Sequence, residues 1–217
     1  GKYRESLEMH EKVLKGEIQR VGEAHADTLI TIGNIANCYM RLGDNKMGLF
    51  LHLKCNDGYQ KWFNEFADNP NSKADLLNMT DLERLITQVK IEQRVNDWAT
   101  CANSTGIAYD NLGMYKESLE RYSFCLEWRE KNLGKDHTST NTCMMNIACV
   151  HRKMGKHEEA LARFRKCLEN QKRAVGLEHP STLSVMHNMT SQLSDMGNFD
   201  EAVKMGEECL RLKEKIQ

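Results

Sequence analysis

The distribution of apolar and polar positions along the chain predicts amphipathic helices. After Gly155, apolar or small side chains occupy relative positions 0, 1, 4, 7 and 8: Ala160, Leu161, Phe164, Cys167 and Leu168. This spacing marks one face of a helix with 3.6 residues per turn, and charged residues occupy the other face. The same spacing recurs after Gly113, at Ser118, Leu119, Tyr122, Cys125 and Leu126.

The helical pattern belongs to an internal repeat of 42 residues. Similar segments begin at Gly113 (Gly-Met-Tyr-Lys-Glu-Ser-Leu), Gly155 (Gly-Lys-His-Glu-Glu-Ala-Leu) and Gly197 (Gly-Asn-Phe-Asp-Glu-Ala-Val), each 42 residues after the one before. Gly1 and Gly43 are again 42 apart. A histidine motif shares the period, in Val21–Thr28, Leu133–Thr140 and Val175–Thr182. Two motifs in one register indicate stacked structural repeats.

Each period predicts two antiparallel helices. The first helix begins after the histidine motif, where Asp, Ser and Thr can cap free amides and Pro180 suits a first turn. It ends at the glycine, which suits a left-handed cap. We expect the equivalent His25, His137 and His179 to satisfy hydrogen bonds of the turn or helix end.

The predicted fold class is therefore all-α: a right-handed superhelical solenoid of antiparallel helix pairs with one inserted helix. We expect a single array over residues 1–217, in which residues 1–21 are the second helix of one unit. Further units lie at about 25–63, 96–133, 137–175 and 179–216, with an insertion at about 64–95.

The repeat also carries a family resemblance. The segments Asn34-Ile-Ala and Asn146-Ile-Ala, the Gly-x-Tyr-x-Glu-Ala-Leu pattern and the Leu-Gly-x-Asp-His-Pro-x-Thr pattern resemble the 42-residue tetratricopeptide repeats of kinesin light chains and related proteins. The resemblance implies a concave groove lined by the first helix of each unit. It also implies groove positions ten, six and three residues before the glycine.

These positions are Gly33, Asn37 and Met40; Asn103, Ile107 and Asp110; Met145, Cys149 and Arg152; and His187, Ser191 and Ser194. Nine residues before the glycine stand Asn34, Ser104, Asn146 and Asn188. An amide side chain both donates and accepts, so a row of asparagines can hold an extended peptide backbone. The alternative, which the sequence leaves open, is that these asparagines bond between helices of the stack. A regular set of Lys and Arg for a carboxylate clamp is missing.

The repeat is interrupted between Gly43 and Gly113, where 28 extra residues stand. The turn-rich residues 67–72 open this insertion, and Thr80-Asp-Leu-Glu83 reads as a capping box before an apolar stripe at Leu82, Leu85, Ile86 and Val89. We expect an added helix at about 80–94, which either packs over a weakened repeat or forms or blocks a binding surface. The repeat is weakened by Gly48, His52 and Asn56, and Trp62, Phe63 and Phe66 offer compensating bulk.

The eight cysteines fit packing better than metal binding. Cys55, Cys125, Cys167 and Cys209 all stand 12 residues after the repeat glycine, while Cys101 and Cys143 stand 12 before it. We expect no metal, no cofactor and no catalytic residues. Free thiols in a protein core indicate a reducing intracellular compartment. We expect the cytoplasm, with an organelle matrix or stroma as the alternative.

Composition argues against some classes of partner but does not identify the partner. With 30 basic and 31 acidic side chains the chain lacks a basic nucleic-acid footprint, and no apolar run is long enough to insert into a membrane. We expect a non-catalytic scaffold that binds a protein segment, either as a subunit of a complex or as a monomer rather than an obligate homo-oligomer. A constitutive assembly subunit that uses the convex face or the inserted helix, and the regulatory region of a larger enzyme, are the alternatives.

Overall fold

The computed structural model describes residues 2–68 and 79–216, and in these ranges the regular structure is entirely α-helical. The helices are α1 (Lys2–Val21), α2 (Ala26–Arg41), α3 (Asn45–Asp68), α4 (Asp81–Asn111), α5 (Tyr115–Leu133), α6 (Thr138–Lys153), α7 (His157–Val175), α8 (Pro180–Asp195) and α9 (Phe199–Ile216). The all-α prediction is confirmed. The right-handed superhelical arrangement and the division into repeat units stay predictions.

The helices belong to two compact units, Gly1–Gly113 and Met114–Gln217. In the first unit, α1 packs on α2, α2 on α3, and α3 on α4. In the second unit, α6 packs on α5 and α7, and α8 on α7 and α9. Within each unit successive helices run antiparallel, and the first helices of neighbouring repeats also touch, α2 with α4 and α6 with α8.

The histidine motif builds the turn that leads into a first helix. Nδ1 of His137 accepts a hydrogen bond from the Ser139 amide at 3.2 Å, and this histidine is the N-cap of α6. The Thr140 hydroxyl donates to the Gly134 carbonyl at 2.8 Å. The equivalent contacts at the other two copies involve His25 with Asp27, His179 with Ser181, Thr28 with Gly22 and Thr182 with Gly176. The predicted role of the histidines is confirmed.

The repeat glycine closes the first helix. Gly155 has φ +74°, a left-handed conformation in which a β-carbon is strained, and its amide donates to the Arg152 carbonyl at 3.0 Å. Gly43, Gly113 and Gly197 share this conformation. The chain therefore reverses direction at a fixed place in each repeat.

The core of the second unit is the apolar face predicted from the sequence. Phe164 is fully buried between α7 and its neighbours, with Leu161, Leu168 and Cys167 of the same helix beside it. The side of α8 that packs here contributes Leu183, Val185, Met186, Met189 and Leu193. Truncation of a buried phenylalanine to alanine typically costs about 3–5 kcal/mol, so this face accounts for much of the packing energy.

The inserted helix is a correction to the sequence prediction. The capping box at Thr80 is present: the Glu83 amide donates to the Thr80 hydroxyl at 3.3 Å and the Thr80 amide donates to Glu83 Oε2 at 2.9 Å. The helix that starts there does not end near residue 94, however. It runs on to Asn111, so residues 81–94 are the N-terminal part of α4 rather than a separate element. Most of the predicted opening turn lies outside the described residues.

The apolar stripe of this N-terminal part is exposed to solvent. The exposed fractions are 67% for Leu82, 61% for Leu85, 46% for Ile86 and 55% for Val89. In the described part of the chain the stripe itself is therefore not buried against the weakened repeat, while both predicted roles of this segment stay predictions.

The three aromatic residues near the end of α3 make ring contacts with one another and with α4. Trp62 stacks on Phe66 with ring centroids 5.8 Å apart, and Phe63 lies 5.6 Å from Trp98 of α4. The Arg94 guanidinium lies 4.5 Å from the centre of the Trp62 ring. These contacts hold α3 to the middle of α4.

Candidate functional site

A cavity of about 150 Å³ lies in the first unit where α2, α3 and α4 meet. Helix α2 lines it with Leu29, Ile30, Gly33, Asn34 and Asn37; helix α3 with His52 and Tyr59; and helix α4 with Asp97, Thr100, Cys101 and Ser104. Three of the predicted groove residues, Asn34, Asn37 and Ser104, are thus brought together, with the groove position Gly33 beside them. They come from two different first helices.

Two glycines shape this cavity, one by leaving space and the other by letting two helices approach each other. Gly33 leaves room at the cavity, since a β-carbon there would meet its nearest neighbour, Cys55 Sγ, only at 3.9 Å. Gly58 of α3 lets the helix approach α2 closely, because a β-carbon would stand 2.6 Å from Leu29 Cδ2. Leu29 itself lines the cavity.

Polar residues at core positions of α3 form the floor of the cavity. His52 is 1% exposed, and its Nε2 lies 3.2 Å from Asn37 Oδ1. Because a carbonyl oxygen only accepts, Nε2 carries the proton in this pair. Burial lowers the pKa of His52 to about 4, so the ring is neutral at physiological pH.

Asn56 extends this polar network towards α4. Its amide nitrogen donates to the Thr105 hydroxyl at 2.6 Å and to the His52 carbonyl at 2.9 Å. The same nitrogen lies 3.3 Å from Cys101 Sγ. The positions that weaken the apolar repeat are thus tied to α2 and α4 by hydrogen bonds.

Asp97 and Tyr59 add a carboxyl and a phenol group to the cavity lining. Burial raises the pKa of the Asp97 carboxyl, and the Gln93 amide donates to Asp97 Oδ1 at 2.9 Å. Burial, with the nearby Asp97 charge as a second cause, raises the pKa of Tyr59 above its usual range. Arg94 is held by Trp62 and by the Ala24 carbonyl, to which it donates at 3.2 Å.

Other predicted groove residues of the first unit stand apart from this cavity. Met40 packs where Gly48 of α3 lacks a side chain, since a β-carbon at Gly48 would overlap Met40 Cγ. Asn103 and Asp110 are half-buried on α4 and are absent from the cavity lining.

The second unit has a wider concavity of about 450 Å³ near its end. Two predicted residues, His187 and Asn188 of α8, line it together with Pro180, Leu183, Ser184, Lys213 and Ile216. The Asn188 amide donates to the Ser184 carbonyl at 2.9 Å and lies 3.7 Å from the Met145 sulfur. Asn188 therefore touches a neighbouring first helix and also faces the concavity.

The remaining predicted residues of this unit lie on α6. Arg152 pairs with Asp195 of α8 at 3.7 Å, which joins two first helices. Met145 and Asn146 are half-buried. Neither Arg152, Met145 nor Asn146 is part of the concavity lining.

The thiols show one contact that the sequence did not predict. All eight cysteines are free, and Cys125 and Cys143 bring their sulfur atoms within 2.9 Å of each other. Arg129 Nη1 lies 3.3 Å from Cys143 Sγ. The hydrogen bond from Cys125 lowers the pKa of Cys143, helped by Arg129 and opposed by burial, and it raises the pKa of Cys125. Residues of the two cysteine registers thus meet across adjacent helices.

The described parts of the chain contain neither a metal-binding cluster nor a membrane-spanning helix. Residues 2–68 and 79–216 contain no cluster of three or more His, Cys, Asp or Glu side chains placed to hold a metal ion. No helix in these ranges is long and apolar enough to cross a bilayer.

The sequence profile of the tetratricopeptide repeat matches residues 99–173 and 142–215. Together the two matches cover more than half of the chain. The chain belongs to the tetratricopeptide repeat family. No curated protein sequence matches it significantly.

Solved structures share this repeat fold. The tetratricopeptide-like repeats of a Podosopora anserina protein described as a kinesin light chain superpose with a TM-score of 0.71 at 18% identity, covering 100% of this chain and 90% of that one. BtubC (BKLC) from P. vanneervenii gives 0.66 at 17% identity, covering 100% and 72%. NprR in complex with its cognate peptide NprX gives 0.51 at 16% identity, covering 94% and 62%. At these identities the likeness concerns the fold alone.

Several cavity residues are missed by the sequence prediction. In the sequence His52 stands out only as a weakening of the apolar pattern, and Tyr59 and Asp97 do not stand out at all. One signal in the sequence could have found part of the cavity: His52, Asn56 and Tyr59 are spaced so that they fall on one face of a helix, which in the structure is the buried face of α3. Asp97 carries no comparable signal.

Proposed function

We propose that this chain is a non-catalytic scaffold that binds an extended segment of a partner protein along its first helices. The observation that supports this most is the cavity of the first unit, because Asn34, Asn37 and Ser104 from two first helices line it together. Asn34 and Ser104 offer polar groups that suit a peptide backbone. NprR, whose structure contains a bound peptide, is a distant fold neighbour that is consistent with this role.

The proposal extends to the second unit. His187 and Asn188 at the concavity, with Arg152, Met145 and Asn146 on the adjacent first helix, are the proposed contacts there. Asn103, Asp110 and Met40 complete the proposed set in the first unit. The eight free thiols support a reducing intracellular compartment, with the cytoplasm as first choice.

Affinity purification of partners with matched variants tests this function. Asn34→Ala and Asn188→Ala are expected to reduce partner recovery, whereas Asn64→Ala, at an exposed site on the second helix α3, is expected to leave it unchanged. Equal recovery with all three variants, each folded by circular dichroism, would reject the groove as the binding surface.

The exposed stripe on α4 supports a second candidate function, that of an assembly subunit. Four large apolar side chains at helical spacing are costly to leave in water and are typical of an interaction surface. Because α4 is continuous, deletion of residues 72–94 would remove its capped start, so surface substitutions are the sharper test. Loss of assembly by Leu85→Glu with Val89→Glu, while peptide binding persists, would favour this candidate.

A further inference from the structure

The described lining of the cavity in the first unit carries a negatively charged side chain and no positively charged one. Among the described residues that line it, Asp97 is the one carboxylate, and neither lysine nor arginine is present. His52 is neutral because burial holds its pKa near 4. Arg94, which is outside the lining, acts electrostatically on Asp97, and its guanidinium also contacts the Trp62 ring and the Ala24 carbonyl.

His52 places a buried hydrogen-bond acceptor at the floor of the cavity. With its proton on Nε2, His52 presents a lone pair at Nδ1, and this atom is buried without a hydrogen-bond partner among the described residues. One turn further along α3 and behind the residues that line the cavity, Asn56 Oδ1 is also buried without a hydrogen-bond partner among the described residues. Buried acceptors without donors are unfavourable, so a donor that reaches this region gains.

The remaining wall is apolar. Leu29 and Ile30 of α2 contribute aliphatic surface next to the polar groups. The volume of about 150 Å³ is that of a cavity able to hold a six-membered ring. An unbranched side chain with an apolar stem and a charged, hydrogen-donating head matches this combination.

We propose that the cavity binds a basic side chain, lysine or arginine, of the partner segment, with the aliphatic stem on Leu29 and Ile30 and the charged head at Asp97. This specificity rests on the proposed function, because the side chain is presented by a segment in the groove. An ammonium or guanidinium head supplies donors and neutralises a carboxylate that burial leaves poorly solvated. An acidic side chain would be repelled by Asp97, and an aliphatic one would supply it with neither a donor nor a positive charge.

Small probes test the cavity independently of any partner. The ¹⁵N-labelled chain is titrated with n-butylammonium, n-butylguanidinium, 1-butanol and butyrate at constant ionic strength, and backbone amide shifts are recorded. The two cations are expected to shift amides of residues that line the cavity, with little response to 1-butanol or butyrate. Equal responses to 1-butanol and n-butylammonium would overturn the charge-based inference, as would the absence of any response.

Matched variants assign the effect to Asp97. Asp97→Asn is expected to weaken cation binding about 10- to 100-fold, the range for loss of a charge-assisted hydrogen bond. Asp57→Asn removes an exposed carboxylate from α3 in the same unit and is expected to have no effect. Ser104→Lys places a tethered ammonium at the cavity and is expected to block binding of the cationic probes. This second variant tests the inference even if Asp97→Asn fails to fold. Binding unchanged by both cavity variants would refute the inference.

Selection of peptides from a random library separates this inference from the proposed function. Wild type is expected to enrich peptides with Lys or Arg at one fixed position, and Asp97→Asn is expected to lose that preference. Peptides that depend on Asn34 but show no basic preference would overturn the inference and leave the function intact. Probe binding without any selected peptide would reject the function and retain the cation-binding cavity.

Discussion

Acidification is expected to destabilise the first unit through His52. The ring is buried and neutral in the folded chain, with its pKa lowered to about 4 by burial, against an ordinary value of 6.5. When the folded pKa is the lower one, the unfolded chain binds the proton first as pH falls. Stability that is fully present above pH 6.5 is therefore lost progressively down to about pH 4.

The size of this loss follows from the pKa difference. The two pKa values, 6.5 and about 4, correspond at about 1.4 kcal/mol per pKa unit to roughly 3 kcal/mol over the whole window. At pH 5, about 2 kcal/mol of this is already lost. Asp97 acts in the opposite direction, because burial raises its pKa and favours the protonated folded form at low pH.

Replacement of the histidine isolates its contribution. His52→Gln keeps a donor for Asn37 but does not titrate. Urea unfolding is followed by circular dichroism for both proteins between pH 4 and pH 7.5. The stability of wild type relative to His52→Gln is expected to fall by roughly 2 kcal/mol between pH 7.5 and pH 5, while the Asp97 effect cancels in the comparison. A difference that stays constant with pH would show that the pKa of His52 is the same in the folded and the unfolded chain, and would refute the reasoning.

Two further expectations concern the second unit. Gly155→Ala is expected to cost about 1–2 kcal/mol of unfolding free energy, because φ is +74° there. Gly206→Ala, inside α9 with its nearest contact at 3.5 Å, is expected to gain up to about 1 kcal/mol; equal melting temperatures would contradict both. Diamide, which is reduced to a hydrazine as two thiols lose hydrogen and form one S–S bond, is expected to join Cys125 to Cys143 while Cys167 stays reduced. Peptide mapping under non-reducing conditions detects the bond, and equally fast modification of Cys167 would contradict the selectivity.

The repeated turn is predictable because its signals are local. His137, Ser139 and Thr140 act within six residues of Gly134, so their spacing along the chain already determines which groups can bond to each other. Three copies in one register make the pattern visible. The histidine caps and the left-handed glycines therefore follow from the sequence pattern alone.

The polar floor of the cavity depends on distant pairs. His52 bonds to Asn37, 15 positions away, and Asn56 bonds to Thr105, 49 positions away across the insertion. Sequence shows these residues only as polar side chains on an apolar stripe. Their partners become known once α2, α3 and α4 are packed together, because each hydrogen bond depends on which faces meet.

The end of the inserted helix is mispredicted for a related reason. The expected boundary near residue 94 comes from the repeat register, whereas the local sequence has neither glycine nor proline from Asp81 up to Gly106. Without a stop signal, the helix that begins at the Thr80 capping box continues into the first helix of the next repeat.

This continuity explains why Asp97 differs from its counterparts. The position sixteen residues before the repeat glycine is Asp27, Ser139 and Ser181 in the other repeats, where its amide is bound by the histidine N-cap in the first helical turn. In the interrupted repeat the same position lies deep inside α4, sixteen residues after Asp81. The histidine turn is replaced by helix, and Asp97 becomes a half-buried carboxylate on the cavity instead of a residue beside a cap. Among the described residues that line the cavity, the interruption of the repeat therefore supplies the one carboxylate on which the proposed cation selectivity depends.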